Sequence, residues 1–223
     1  MTDIRTDSTN LNQLRSVIEL QEGRIGNYPW NQVDSIAVST EEKQQLEVIE
    51  SRLRNTFIDL MNASTILSRA IYPLLVLAER DDIEAWTRIE LLAQYPNKFN
   101  IRAMVDGGLA KTVAGRVIPP YFLVVKVEQV TESSNRLLKV YVQMLTAACL
   151  NWNHDKNPIQ TVFGCYTIGD TWKFLRAEVE GIEQERPIMR IEYSRDYLQR
   201  MESETICKIL KGIVDIKTEG NSQ

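Results

Sequence analysis

Asp106, Lys126 and Glu128 are the residues whose types and spacing fit a recognised kind of chemistry. Alternate side chains of an extended strand share a face, so in Val124-Val125-Lys126-Val127-Glu128 the lysine and the glutamate point the same way. Asp106 falls in the stretch expected to form the preceding strand. Two carboxylates hold a hard divalent cation through oxygen, and an ammonium steadies the charge that develops on a phosphate. These are the minimal parts of a metal-dependent phosphodiesterase site. The plain alternative is a cross-strand ion pair, which contributes about 0–1 kcal/mol when exposed and requires no function. Phe122 and Val124 share a face with Lys126 and Glu128, while Leu123, Val125 and Val127 share the other. Both faces are largely apolar, which predicts a covered strand, where charges are costly unless partnered or functional.

Other candidates are weaker. Glu90 is a further carboxylate on the first strand, expected to be solvated at an edge. His154, the only histidine, lies in an Asn- and Asp-rich stretch read as a loop. A histidine-based metal site or a catalytic triad lacks its partners. Cys165 reads as core packing because no histidine can activate it. Gly107-Gly108 lacks the Gly-Lys-Ser/Thr ending of a phosphate loop and reads as a bulge or a close backbone approach. Lys111, Arg116, Arg136 and Lys139 form either a modest basic rim or ordinary surface charge.

Positioning these residues falls to a meander over 83–94, 100–112 and 121–130. If the second and third strands turn about Arg116, next to Gly115, paired residue numbers add to 232. Asp106 then faces Lys126, with Glu128 on its diagonal. Ahead of the meander, Ser39-Thr40-Glu41-Glu42 has capping-box spacing. The stripe Leu46, Ile49, Leu53, Phe57, Leu60, Met61 predicts a long helix over 41–68, kinked or broken at Pro73. That helix either covers the sheet or pairs with another copy as a homodimer. After the meander come a helix over 135–151, a strand over 159–168, a Gly169-Asp170 turn and a strand over 172–180. An edge strand over 187–193 and a terminal helix over 197–216 complete the order. Residues 1–40 read as a polar N-terminal extension or arm with a short helix, and 41–223 as one domain.

Composition sets the bounds. The chain has 223 residues, 43% of them hydrophobic, enough for a sizeable core, and a net charge of −4. Loose attachment to nucleic acid through bulk charge is disfavoured by that sign. No apolar run reaches membrane-span length and no secretory leader is visible. Three widely spaced cysteines suit buried thiols in a reducing compartment, so a cytoplasmic protein without membrane contact is expected.

The order helix, three strands, helix, strands, with Asp106 in the second strand and a charged pair in the third, resembles the PD-(D/E)XK or restriction-endonuclease-like superfamily. The resemblance runs from about Leu46 to Glu180. It includes Phe163-Gly164-Cys165-Tyr166-Thr167-Ile168-Gly169-Asp170-Thr171-Trp172-Lys173-Phe174-Leu175, which looks like the strand–glycine turn–aromatic strand after the core helix, and Tyr72–Leu75, as in an uncharacterised subgroup. It implies an α/β (α+β) fold, a mixed sheet with an antiparallel meander flanked by helices. It also implies a magnesium-dependent nuclease site with Asp106 and Glu128 as metal ligands and Lys126 as the catalytic lysine. In the family the glutamate precedes the lysine by two residues, whereas here Lys126 takes the glutamate's place and Glu128 the lysine's. Active relatives often carry a glutamate on the helix before the meander, where this chain has Asn62, Ala63 and Ser64. Many also place a glutamine and then an aromatic residue on the following helix; here Tyr141 precedes Gln143, both accessory candidates, and Lys139 stands where the glutamine is expected. The expectation is therefore a degenerate or weakly active nuclease-like protein that binds nucleic acid (DNA or RNA) or protein. The alternative is an active Mg2+-dependent nuclease using Asp106, Glu128 and Lys126.

Overall fold

In the computed structural model, which describes residues 2–96, 98–130 and 135–220, Ser39 and Glu42 close the expected capping box. The Ser39 amide donates to Glu42 Oε2 at 2.6 Å, and the Glu42 amide to Ser39 Oγ at 3.1 Å. This starts α2 (Thr40–Arg54), which buries Leu46, Ile49 and Leu53. The helix stops well short of residue 68. Asn55 Nδ2 and Thr56 Oγ1 donate to the Ser51 and Arg52 carbonyls at 3.0 and 2.7 Å, taking acceptors that a continuing helix needs. The apolar spacing runs on in sequence but not in space: Phe57 and Leu60 are 83% and 84% exposed. Nor does the first half of α2 project. It packs along α6 (Gln199–Gly220), with Lys211 Nζ 2.7 Å from Glu42 Oε1.

Asn62 restarts the chain as α3 (Ala63–Ile66), its Oδ1 accepting from the Thr65 amide at 2.9 Å. A five-residue π turn, Leu67–Ile71, then leads into α4 (Tyr72–Val76). Pro73 has no amide to offer the helical ladder, and the wide turn lies immediately upstream of it.

The meander forms as β3 (Ile83–Tyr95), β4 (Phe99–Val113) and β5 (Arg116–Glu128). The β4–β5 turn is Ala114–Gly115, with φ of 51° and 73°, the doubly left-handed pattern of a two-residue hairpin. Paired residue numbers add to 229 there (Val113 with Arg116) and to 232 from Leu109 with Leu123 onward. Pro119 and Pro120 lie where the register slips, since neither can donate to a ladder. The register expected at Asp106 is therefore reached through an irregular stretch and not through a turn at Arg116.

After β5, α5 (Arg136–Asp155) crosses over so that β6 (Ile159–Ile168) pairs with β5 in parallel. The helix runs four residues further than expected and carries His154 in its last turn. Antiparallel β7 (Thr171–Glu180) and β8 (Ile188–Leu198) follow. Strand β8 takes in Tyr197, read above as the start of the terminal helix, which begins at Gln199. Residues before α2 supply β1 (Thr2–Arg5), α1 (Leu11–Val17) and β2 (Glu19–Ile25). β1 pairs with β4 in parallel, and β2 with β8, so β8 is an inner strand. The result is a curled mixed sheet of eight strands with helices on both faces. α1 and α5 cover one core, and α2, α4 and α6 the other. A β-carbon on Gly164 would run into Met144 and Val140 of α5, so glycine sets how closely α5 approaches the sheet. The three cysteines are buried free thiols. Among the described residues no helix is long and apolar enough to cross a membrane.

Candidate functional site

β3 and β4 bend from one core to the other where they pass Arg88 and Asp106. Ile101, Ala103 and Val105 of β4 face the α5 core, yet Leu109, of the same parity, faces the opposite core. In β3, Ala85 and Leu91 divide in the same way. Arg88, at the crossover, has φ of 54°, a left-handed conformation uncommon for a residue with a β-carbon and a local source of twist.

At this bend β4 and β5 part. Their ladder ends at Gly107 with Val125, and β1 pairs with β4 only up to Arg102. Side chains take over in the gap. The Val127 amide donates to Asp106 Oδ2 at 2.8 Å, and Lys126 Nζ donates to the same oxygen at 2.7 Å. Gln143 reaches down from α5, its Nε2 donating to the Met104 carbonyl at 2.7 Å. The Gln143 amide is buried, and its Oε1 accepts no hydrogen bond from the described residues. Asp106 and Val127 also line a cavity of about 440 Å3, whose far wall includes Ala63 and Ser64 of α3 and Arg88 of β3. The stretch noted for its missing glutamate thus faces the aspartate.

Glu128 is fully buried and gripped from α5. Arg136 Nε donates to Oε2 at 2.8 Å and Lys139 Nζ to Oε1 at 2.9 Å. Cations in the first turn of a helix oppose its dipole, so this pair of basic residues needs a carboxylate, and Glu128 provides it.

The remaining candidates lie elsewhere. Glu90 pairs with Arg102 on the outer surface. The Tyr141 hydroxyl donates to Glu22 Oε1 at 2.8 Å and shares a short hydrogen bond with the Tyr193 hydroxyl. Burial pushes the Tyr193 hydroxyl up to about 12, and that of Tyr141 higher still. Both phenols stay protonated at neutral pH, far from any ligand role. The four-residue basic rim does not assemble. Lys111 pairs with Asp82, Arg136 and Lys139 serve Glu128, and Arg116 sits at the hairpin tip. From Arg116 to Lys126 along β5 is on the order of 30 Å.

Sequence reasoning thus brought Asp106 and Lys126 together correctly but missed two features. The Val127 amide bond follows from the parting of two strands, which has no sequence signal. The Arg136–Lys139 grip had one: two cations three residues apart at a helix start, just after a buried glutamate.

As arranged, these residues do not fit magnesium. A hard cation wants several oxygens with free lone pairs. Asp106 Oδ2 already serves two donors, and each Glu128 oxygen faces a cation. Among the described residues no group of three His, Cys, Asp or Glu side chains converges as a metal site would require. No family model matches the chain, and no curated protein matches it.

Proposed function

We infer that this chain is a restriction-endonuclease-like protein whose metal site has become a set of internal ion pairs, and that it binds nucleic acid without cutting it. The observation that carries this reading is the engagement of both carboxylates by three cations. Loss of the helix glutamate position to Ala63 and Ser64, which line the cavity opposite Asp106, supports it. So do the meander, the crossover helix and the parallel fifth-to-sixth strand pairing, which agree with the family resemblance. The ligand would be a phosphate backbone, the polyanion that a guanidinium on the wall of the Asp106 cavity suits. Arg88, exposed on the cavity wall with no hydrogen bond or ion pair to another described residue, would make the first contact. Few phosphates would be engaged, so binding should be modest and weaken as salt is raised.

Fluorescence anisotropy with labelled DNA and RNA oligonucleotides at low salt, with and without magnesium, tests this. Binding that is insensitive to magnesium and weakened by Arg88→Gln is expected, with the probe left intact. Magnesium-dependent cleavage abolished by Asp106→Ala would establish the active-nuclease reading instead. Absence of binding to either polymer at low salt would remove the nucleic-acid reading altogether.

A further inference from the structure

A second cavity, independent of the fork where β4 and β5 part, lies between the end of α2 and the π turn ahead of α4. Its volume is about 580 Å3, within the range that holds small organic ligands. The inner wall is apolar: Leu53, Ile58, Ile66 and Ala70 line it, each buried. The outer wall carries Arg52 and Arg69, both exposed. Neither guanidinium makes a hydrogen bond or ion pair with a described residue, whereas neighbouring Arg54 is engaged by Glu50. No acidic side chain lines this cavity. Two unengaged guanidiniums beside an acid-free apolar trough invert the sign of a chain whose net charge is −4.

The wall is built and held open. Ser68, Arg69 and Ala70 belong to the π turn Leu67–Ile71, a widened helical turn of the kind frequent at functional sites. Gln199, fully buried, donates its Nε2 to the Ala70 carbonyl at 2.7 Å. Pro73, which also lines the cavity, has no amide with which to tighten the turn. At the rim, Phe57 and Leu60 stand exposed between the lining residues Thr56 and Met61, as apolar surface that a ligand's tail would cover.

The geometry points to a binding site for an amphipathic monoanion, a carboxylate on an unbranched apolar chain. The chain would occupy the Leu53–Ile58–Ile66 trough and the carboxylate would be held by Arg52 and Arg69. A guanidinium fork matches a carboxylate in a paired, charge-assisted geometry, and the trough contributes through removal of apolar surface from water. A bare anion has no use for the trough, and an uncharged alkyl chain has none for the arginines.

Isothermal titration of the full chain with sodium decanoate, below the concentration at which it forms micelles, tests the assignment. Saturable one-to-one binding is expected. The double substitution Arg52→Gln/Arg69→Gln, at exposed positions that leave the fold intact, should weaken it by about tenfold or more. Decanol should bind more weakly by a similar factor, and inorganic phosphate should give no saturable heat. Ser68→Trp, also at an exposed position, should close the cavity and abolish binding while circular dichroism stays native. Failure of decanoate to saturate overturns the assignment, as does affinity unchanged in the double arginine variant or phosphate binding as tightly as decanoate. Self-association that disappears in Phe57→Ser/Leu60→Ser, in a protein that ignores decanoate, would mean the surface meets a second copy instead.

Discussion

Asp106 of β4 and Glu128, the last residue of β5, are treated differently by the protein. The Asp106 side chain keeps 24% of its exposure and is satisfied by one lysine and one backbone amide, whereas Glu128 keeps none and is gripped by two cations. Water does part of the work of solvating Asp106. It does none for Glu128, so the protein must supply the missing charge through Arg136 and Lys139. Removing a carboxylate from water without such partners costs several kcal/mol. The number of cations tracks depth, and that makes Glu128 a structural anchor for the start of α5 and Asp106 the adjustable member of the pair.

Reversing the charge at the deep position tests this contrast hardest. Glu128→Lys gathers three cations in a buried site and should cost about 3–5 kcal/mol, lowering the melting temperature by about 6–20 °C in a chain of this size. The same clash defeats the simple restoration of family order. Lys126→Glu/Glu128→Lys should unfold the fork rather than recover metal affinity, until Arg136 and Lys139 are made neutral as well. Calorimetric magnesium titration of the fourfold variant against the double variant checks that. Next in size is Glu128→Gln, which keeps the shape and removes the carboxylate charge that Arg136 and Lys139 face, for about 1–3 kcal/mol in chemical denaturation. Asp106→Ala strands the Val127 amide and should cost about 1–2 kcal/mol, while Asp106→Asn keeps an acceptor for that amide and should recover about half. Equal losses for Asp106→Asn and Glu128→Gln would break the link between depth and charge. Glu90→Gln, at the surface pair with Arg102, should change stability by less than about 0.5 kcal/mol and sets the baseline.

Much of this arrangement is legible in the amino-acid sequence alone. Period-two patterning located β3, β4 and β6 nearly to the residue, because apolar alternation there reflects burial directly. The Asp106–Lys126 contact followed from register, although the turn and the proline-driven slip that produce the register were not foreseen. The failures share a cause. The stripe from Leu46 to Met61 reads as one helix, but side-chain bonds from Asn55 and Thr56 end it after Arg54. The strands β1 and β2 carry no alternation strong enough to announce them, since their pairing partners lie far along the chain and lend them their order. The swap of cores at Arg88 and Asp106 leaves the parity of the sequence untouched, so no pattern reports it.

Those distant pairings also impose a timetable. β2 is made early, but the strand it lies against, Ile188 to Ile191 in β8, follows about 170 residues later. At ordinary translation rates of about 5–20 residues per second, that is a wait on the order of ten seconds or more. β1 waits a shorter time for Phe99 to Arg102. Until then the backbone donors and acceptors of both segments have no ladder to join, and β8 has no cover on its outer edge. The β2–β8 edge can be sealed only once synthesis is nearly over, which makes the second strand made the last to be locked.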